Sequence, residues 1–189
     1  NARGTLLLLR WAEASRVSRF LHASSMAVYG PVEGPVLETA PTQPGSYYGV
    51  SKVAGEAAVR FFAARGLQTT TFRMFNVYGP GQNLANLRQG MVSIYLAYLL
   101  RGEPVVVKGA LDRYRDFVHV DDVATAWLAA LDAKGAADRL YNLGTGRKTT
   151  VAELLDQLGQ AFGYPADACP MTAADGTPGD MHGSVADIT

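Results

Sequence analysis

Tyr48 and Lys52 stand four residues apart in the run YYGVSK, Tyr47 to Lys52. On a helix that spacing puts both side chains on one face, about 6 Å apart along the axis. An ammonium beside a phenol favours the phenolate, and a poised phenolate is a usable general base. Upstream, Ser24 and Ser25 close a strand-like run, where a hydroxyl can hydrogen-bond a substrate oxygen next to the phenol. Each part alone has an ordinary structural explanation, a solvated helix face for one and turn chemistry for the other. Together they describe a base and a hydroxyl aimed at one oxygen.

Such a pair needs a scaffold that brings a strand end to a helix start. Gly4 to Arg16 has strong helix formers with apolar residues every three to four positions. Arg19 to Ser24 reads as a short strand. Gly30 to Gly45, with four prolines and three glycines, reads as an extended loop without regular structure. Ser46 to Gly66 reads as a long helix stopped by its glycine. Gln68 to Met74 is β-branched and strand-like. Asn76 to Asn83 reads as a Gly/Pro loop, followed by a helix from about Gln89 to Leu100 and a strand over Val105 to Lys108. Asp116 to Val120 reads as a strand, and Asp121 or Asp122 as the cap of a helix running to about Asp132. Arg139 to Leu143 reads as a strand turned by Gly144-Thr145-Gly146, which is too short to cradle phosphates. Thr150 and Glu153 have the spacing of a capping box before a helix ending near Phe162. The Ala, Gly, Pro and Asp-rich stretch from Gly163 has no clear pattern. Strands alternating with helices predict an α/β fold, the latter part of a doubly wound parallel sheet.

Composition narrows the partners. The 189 residues balance 17 Lys+Arg against 17 Asp+Glu, which argues against a general electrostatic grip on nucleic acid or an anionic membrane. With 48% hydrophobic and 18% charged residues the chain is globular in composition. The lone Cys169 excludes an internal disulfide, and no apolar run approaches the ~20 residues of a membrane span. A soluble, cytoplasmic protein is expected. His119 with Asp121 and Asp122 lacks the further thiol or histidine that a metal site needs, so no metal is expected. Phe61, Phe62, Tyr95, Tyr98 and Trp127 fall at helical spacings and are expected to pack, as is Tyr47.

Six blocks in order carry a resemblance: SSMAVYG (Ser24 to Gly30), YYGVSK, RMFNVYGPGQ (Arg73 to Gln82), RDFVHVDDVA (Arg115 to Ala124), YNLGTG (Tyr141 to Gly146) and PGDMHGSVAD (Pro178 to Asp187). The chain resembles the extended short-chain dehydrogenase/reductases, specifically the NAD-dependent nucleotide-sugar epimerases and dehydratases. Asn1 to Thr5 also looks like the family's N-x-x-G-T at a helix start. The resemblance implies a Rossmann-like domain over 1–78 and a smaller α/β domain for the sugar nucleotide over 79–189, with 116–145 returning to the first sheet. Ser25, four before Tyr29, matches the catalytic Ser/Thr, Tyr48 the base, and Lys52 the lysine that also holds the nicotinamide ribose. Asn1 and Phe75 match residues lining NAD. Asn76 and Arg115 match contacts to the sugar-nucleotide pyrophosphate, and the segment around Val107 is expected near the nucleotide.

The family's shared first step takes a proton from a sugar hydroxyl by the tyrosine and a hydride from the same carbon. Dehydratases and decarboxylases of the family keep an acid directly after the active Ser/Thr. Here those positions are Met26 and Ala27, which cannot transfer a proton, so 4-epimerisation of a UDP-linked sugar is expected over elimination; the alternatives are another dehydratase, reductase or decarboxylase of the family, or a non-catalytic relative that binds NAD(P) or a sugar nucleotide. The family's Arg before x-G-D corresponds to Thr177, while Asp180 of that block remains. Ser184, four after Asp180, falls where related 4-epimerases face the sugar's 2-substituent. Its small size predicts room for an N-acetylated sugar. The resemblance further implies a homodimer. With no initiator methionine and no glycine-rich phosphate loop, the chain is expected to be a piece of a longer protein, inactive by itself.

Overall fold

The computed structural model describes residues 1–87, 90–176 and 181–189. The chain runs through α1 (Ala2–Ala14), β1 (Phe20–Ser25), β2 (Pro35–Val36), α2 (Tyr47–Ala63), β3 (Thr69–Met74), β4 (Asn76–Tyr78), α3 (Met91–Leu100) and β5 (Val105–Lys108). It continues with β6 (Tyr114–Arg115), β7 (Phe117–His119), α4 (Val120–Asp132), β8 (Arg139–Leu143), β9 (Thr149–Thr150), α5 (Val151–Ala161), β10 (Met171–Ala174) and β11 (Gly183–Ala186).

A parallel sheet, ordered β1-β3-β8, forms the floor beneath the candidate site. Its centre, β3, is buried from Thr69 to Arg73, and β-branched threonines suit a strand covered on both faces. Burying those hydroxyls requires partners; Thr70 donates to the Ala136 carbonyl at 2.6 Å. Alternation along β3 sends Phe72 and Arg73 to opposite faces. Phe72 stacks on Trp127 of α4, and Arg73 pairs with Glu56 of α2. Leu9 and Ala12 of α1 join Val59 and Phe62 of α2 in a core of their own.

A second apolar core gathers α3, α5 and β5 around Tyr95, Val105, Val107 and Leu155. The capping box of α5 forms as expected: Thr150 N donates to Glu153, 2.7 Å away, and Glu153 N donates to Thr150 Oγ1 at 3.1 Å. Among the described residues no helix is long and apolar enough to cross a membrane.

Several expectations are corrected. The Gly30–Gly45 stretch contains β2, and the 76–83 loop opens with β4; both are short strands defined by their partners, β11 and β7. The stretch after Gly163 supplies β10 and β11. The cap of α4 is His119, whose Nδ1 accepts from Asp121 N, because the helix starts at Val120 and leaves both aspartates inside its first turn. Tyr47 is 97% exposed and Phe61 61%, so neither packs in the core. Phe61 instead carries the Arg65 guanidinium over its ring. Phe62 and Tyr95 are buried as expected.

Candidate active site

The site is assembled where β1 ends and α2 begins. Ser25 is the last residue of β1, and its Oγ accepts from Ala27 N at 3.2 Å, capping a short 3₁₀ turn over Met26–Val28. That bond uses a lone pair and leaves the hydroxyl hydrogen available to donate. Ser46 caps α2 in the same manner, accepting from Gly49 N at 3.1 Å. Gly49 lets the two meet: a Cβ there would fall against the Ala27 carbonyl oxygen and 2.8 Å from Pro44 Cβ. The bare glycine therefore lets the first turn of α2, with Tyr48, abut the turn that follows Ser25.

Lys52 lies one helical turn beyond Tyr48, with Nζ 5.5 Å from the phenol ring centroid. It donates to the Ala23 carbonyl of β1 at 2.6 Å, which fixes one of its three N–H groups. Tyr48 is 49% exposed and faces a cleft of about 640 Å³. Ser25, Phe75, Asn76 and Gln82 also line it, at the carboxyl ends of β1 and β3, where doubly wound sheets take their ligands.

Beneath the cleft runs a buried polar network that sequence reading missed. Ser24 Oγ donates to Glu56 at 2.5 Å, and Arg73 grips the same carboxylate with Nε and Nη2 at 2.9 and 2.8 Å. Arg73 also lies 4.6 Å above the Tyr29 ring, and the Tyr29 hydroxyl donates to Asn142. Burial works to raise the Glu56 pKa, but the Arg73 and Ser24 hydrogen bonds and the Arg73 charge outweigh it and hold the carboxyl below its ordinary value. His22 is also buried; desolvation and the nearby Lys52 charge lower its pKa to about 4, against a partial opposing pull from Glu56. At neutral pH the Glu56 and Arg73 charges compensate, His22 is uncharged, and Lys52 is the cation facing Tyr48. Glu56 had one local signal, a position four residues after Lys52 on the same helix face.

The remaining predicted residues are distributed as follows. Asn1 caps α1 by position and donates through Nδ2 to Ser51 Oγ at 3.2 Å, beside the helix that carries Tyr48. Met26 and Phe75 share a buried cluster, while Ala27 lies against Gly49. Asn76 lines the cleft and donates through Nδ2 to the Asp116 carbonyl. Arg115 is buried and donates to the carbonyls of Tyr114 and His182. Val107 is sealed in the α3–α5 core. Ser184 is fully buried on β11 in register with Arg115, and its Oγ has no hydrogen-bond partner among the described residues. Asp180 and Thr177 lie outside the described residues. Gln82, Asn86 and Met91 also line the cleft and were not anticipated.

These groups fit the nicotinamide end of a dinucleotide. Lys52 keeps two N–H donors for ribose hydroxyls, Ser25 keeps its hydroxyl hydrogen, and Phe75 offers an apolar wall.

Comparison with known proteins agrees with this geometry. The NAD dependent epimerase/dehydratase family matches residues 1–144. The chain is 35% identical over 168 residues to the UDP-glucose 4-epimerase of Mycolicibacterium smegmatis, covering 87% of this chain and 53% of that protein. It is 34% identical over 168 residues to a dTDP-glucose 4,6-dehydratase of Actinoplanes, covering 88% and 51%. The crystal structure of UDP-glucose 4-epimerase with UDP-glucose from Thermotoga maritima superposes with a TM-score of 0.89 at 36% identity, covering 97% of this chain and 59% of that one. The chain thus spans about half the length of the curated relatives it matches. An α/β fold with a parallel sheet, a Tyr-Lys helix at the end of β1 and a match over residues 1–144 lead to one conclusion: this chain belongs to the NAD dependent epimerase/dehydratase family.

Proposed function

We propose that the protein catalyses 4-epimerisation of a nucleotide sugar, a UDP-hexose or UDP-N-acetylhexosamine, through a transient 4-keto sugar. The observation that carries this reading is the pairing of Ser25 and Tyr48 on a cleft whose described lining holds no carboxylate, with Lys52 beside the Tyr48 ring. In this reading Tyr48 takes the proton of the C4 hydroxyl, and Ser25 donates a hydrogen bond to the same oxygen. NAD, when bound, supplies a reversible hydride acceptor. Lys52 holds the ribose beside the Tyr48 ring, with Asn1 and Phe75 flanking the cofactor. Asn76 and Arg115 hold the pyrophosphate, for which a guanidinium offers a fork of donors. After the keto sugar rotates to present the opposite face of C4 for return of the hydride, Tyr48 gives its proton back to O4.

Elimination is the second reading, since dehydratases are among the relatives. It needs an acid near C6, and the residues after Ser25, Met26 and Ala27, have none to offer. Incubating the intact protein with NAD and UDP-glucose or UDP-N-acetylglucosamine, and resolving the C4 epimers by NMR, tests the choice.

Lys52→Met is expected to raise KM for NAD and to lower kcat, each by about tenfold or more, because one charge serves both ribose and phenol. Steady-state kinetics with varied NAD checks it; a change in only one parameter contradicts the shared role. We also propose that the intact protein is a homodimer built on α1 and α2, whose Leu7, Trp11, Val50 and Phe61 are all more than half exposed. Sedimentation as a monomer would contradict that assembly.

A further inference from the structure

Asp116 is wholly buried between β6 and β7, and six hydrogen-bond donors converge on it. Its Oδ1 accepts from Thr145 N and Thr145 Oγ1, both at 2.8 Å. Its Oδ2 accepts from Gly146 N and Ala186 N, both at 3.0 Å. Its main-chain carbonyl accepts from the backbone N and the side-chain Nδ2 of Asn76, again at 3.0 Å. Three segments distant in sequence are thereby held to the junction of β6 and β7: the start of β4, the 144–146 turn and β11.

The turn is shaped for this purpose. A Cβ on Gly144 would lie 2.5 Å from Asp116 Oδ2 and 2.9 Å from Ala186 Cβ, so only glycine fits. The N–H groups of Thr145 and Gly146 are consumed by this carboxylate. All four of its partners are donors, so a group that only accepts is required. An asparagine would set its own NH₂ against two of them.

We infer that Asp116 is a positioning residue for nucleotide-sugar binding: its buried carboxylate pins the main chain at 116, whose carbonyl holds the Asn76 amide and whose strand carries Arg115, and so fixes the orientation of the donors that receive the pyrophosphate. The inference rests on the proposed role of Asn76 and Arg115. With Nδ2 tied to the Asp116 carbonyl, the Asn76 side chain is locked in one rotamer at the cleft wall. Tyr48, Ser25 and Lys52 lie on β1 and α2, and among the described residues neither element hydrogen-bonds to Asp116, so binding and chemistry are separable. Asp116 touches substrate in no step.

Asp116→Asn in the intact enzyme is expected to raise KM for the nucleotide sugar about tenfold or more, with kcat and KM for NAD unchanged. A merely structural role would lower the active fraction, and hence kcat, without moving KM. The effect should also shrink in an Asn76→Ala background, where only Arg115 is left to orient. An unchanged KM in folded Asp116→Asn, or an increase that simply multiplies with that of Asn76→Ala, overturns the inference. If Asn76→Ala alone leaves KM unchanged, the pyrophosphate reading of Asn76 fails, and this inference falls with it. Should Asp116→Asn not fold, Thr145→Val removes one donor, and Thr145→Ser restores it. A KM increase in the valine variant that the serine variant reverses supports the inference, and its absence overturns it.

Discussion

Tyr48→Phe will lower kcat by about 10²- to 10⁴-fold while leaving the fold intact, since positioned acid–base groups contribute that much. The change removes one hydroxyl. The ring stays, so the Lys52 ammonium keeps its aromatic neighbour and its bond to the Ala23 carbonyl. Tyr48 is half exposed, and surface substitutions of this size usually change stability by no more than about 0.5 kcal/mol. KM for the nucleotide sugar should hold, because the proposed pyrophosphate contacts come from other elements. Turnover measured beside a thermal melt separates the outcomes. A normal kcat in the variant would remove Tyr48 from the role of base.

The second large effect is on stability. Glu56→Ala strands the Arg73 guanidinium, 4% exposed, without its carboxylate, and leaves the Ser24 hydroxyl with no acceptor. Breaking a buried pair from one side typically costs about 3–5 kcal/mol, because the remaining charge is uncompensated. Replacing both members, with Glu56→Leu and Arg73→Met, should recover much of that loss. Urea unfolding of the parent protein and the two variants checks it; a double variant no more stable than Glu56→Ala would contradict the pairing argument.

The same network sets the acid limit. Glu56 has a folded pKa below its ordinary 4.5, so its stabilisation is present above that value and is lost as pH falls through the folded one. His22 acts over a higher window. Its folded pKa is about 4 against an ordinary 6.5, so between those values the unfolded chain binds the proton that the folded chain refuses. Stability therefore falls as pH drops from 6.5 toward 4, with a limiting slope of about 1.4 kcal/mol per pH unit. His22→Gln should flatten that slope, and an identical slope in the variant would contradict the assignment.

Features with local causes were legible in the sequence. The Tyr48–Lys52 spacing is a property of one helix turn, the Thr150–Glu153 box of one cap, and the bounds of β5 and β8 of the Pro, Asp and Gly residues that flank them. Features made by distant partners were not. β2, β4, β10 and β11 are short and exist through pairing, the last with β2 and β6. Glu56 becomes part of the site only because β3 delivers Arg73 beneath α2. His119 caps α4 because that helix starts immediately after β7, a boundary that two consecutive aspartates disguise. Phe61 and Phe62 are adjacent, and only the packing of α1 on α2 decides that Phe62 is the one buried.

Tyr48 is proposed to carry out an epimerase chemistry in a cleft whose described lining holds no carboxylate. The most direct measurement is the mass and C4 configuration of the product formed from UDP-glucose by the intact protein with NAD. A product of unchanged mass, inverted at C4 and absent with Tyr48→Phe, is the predicted result. A product lighter by one water would contradict it.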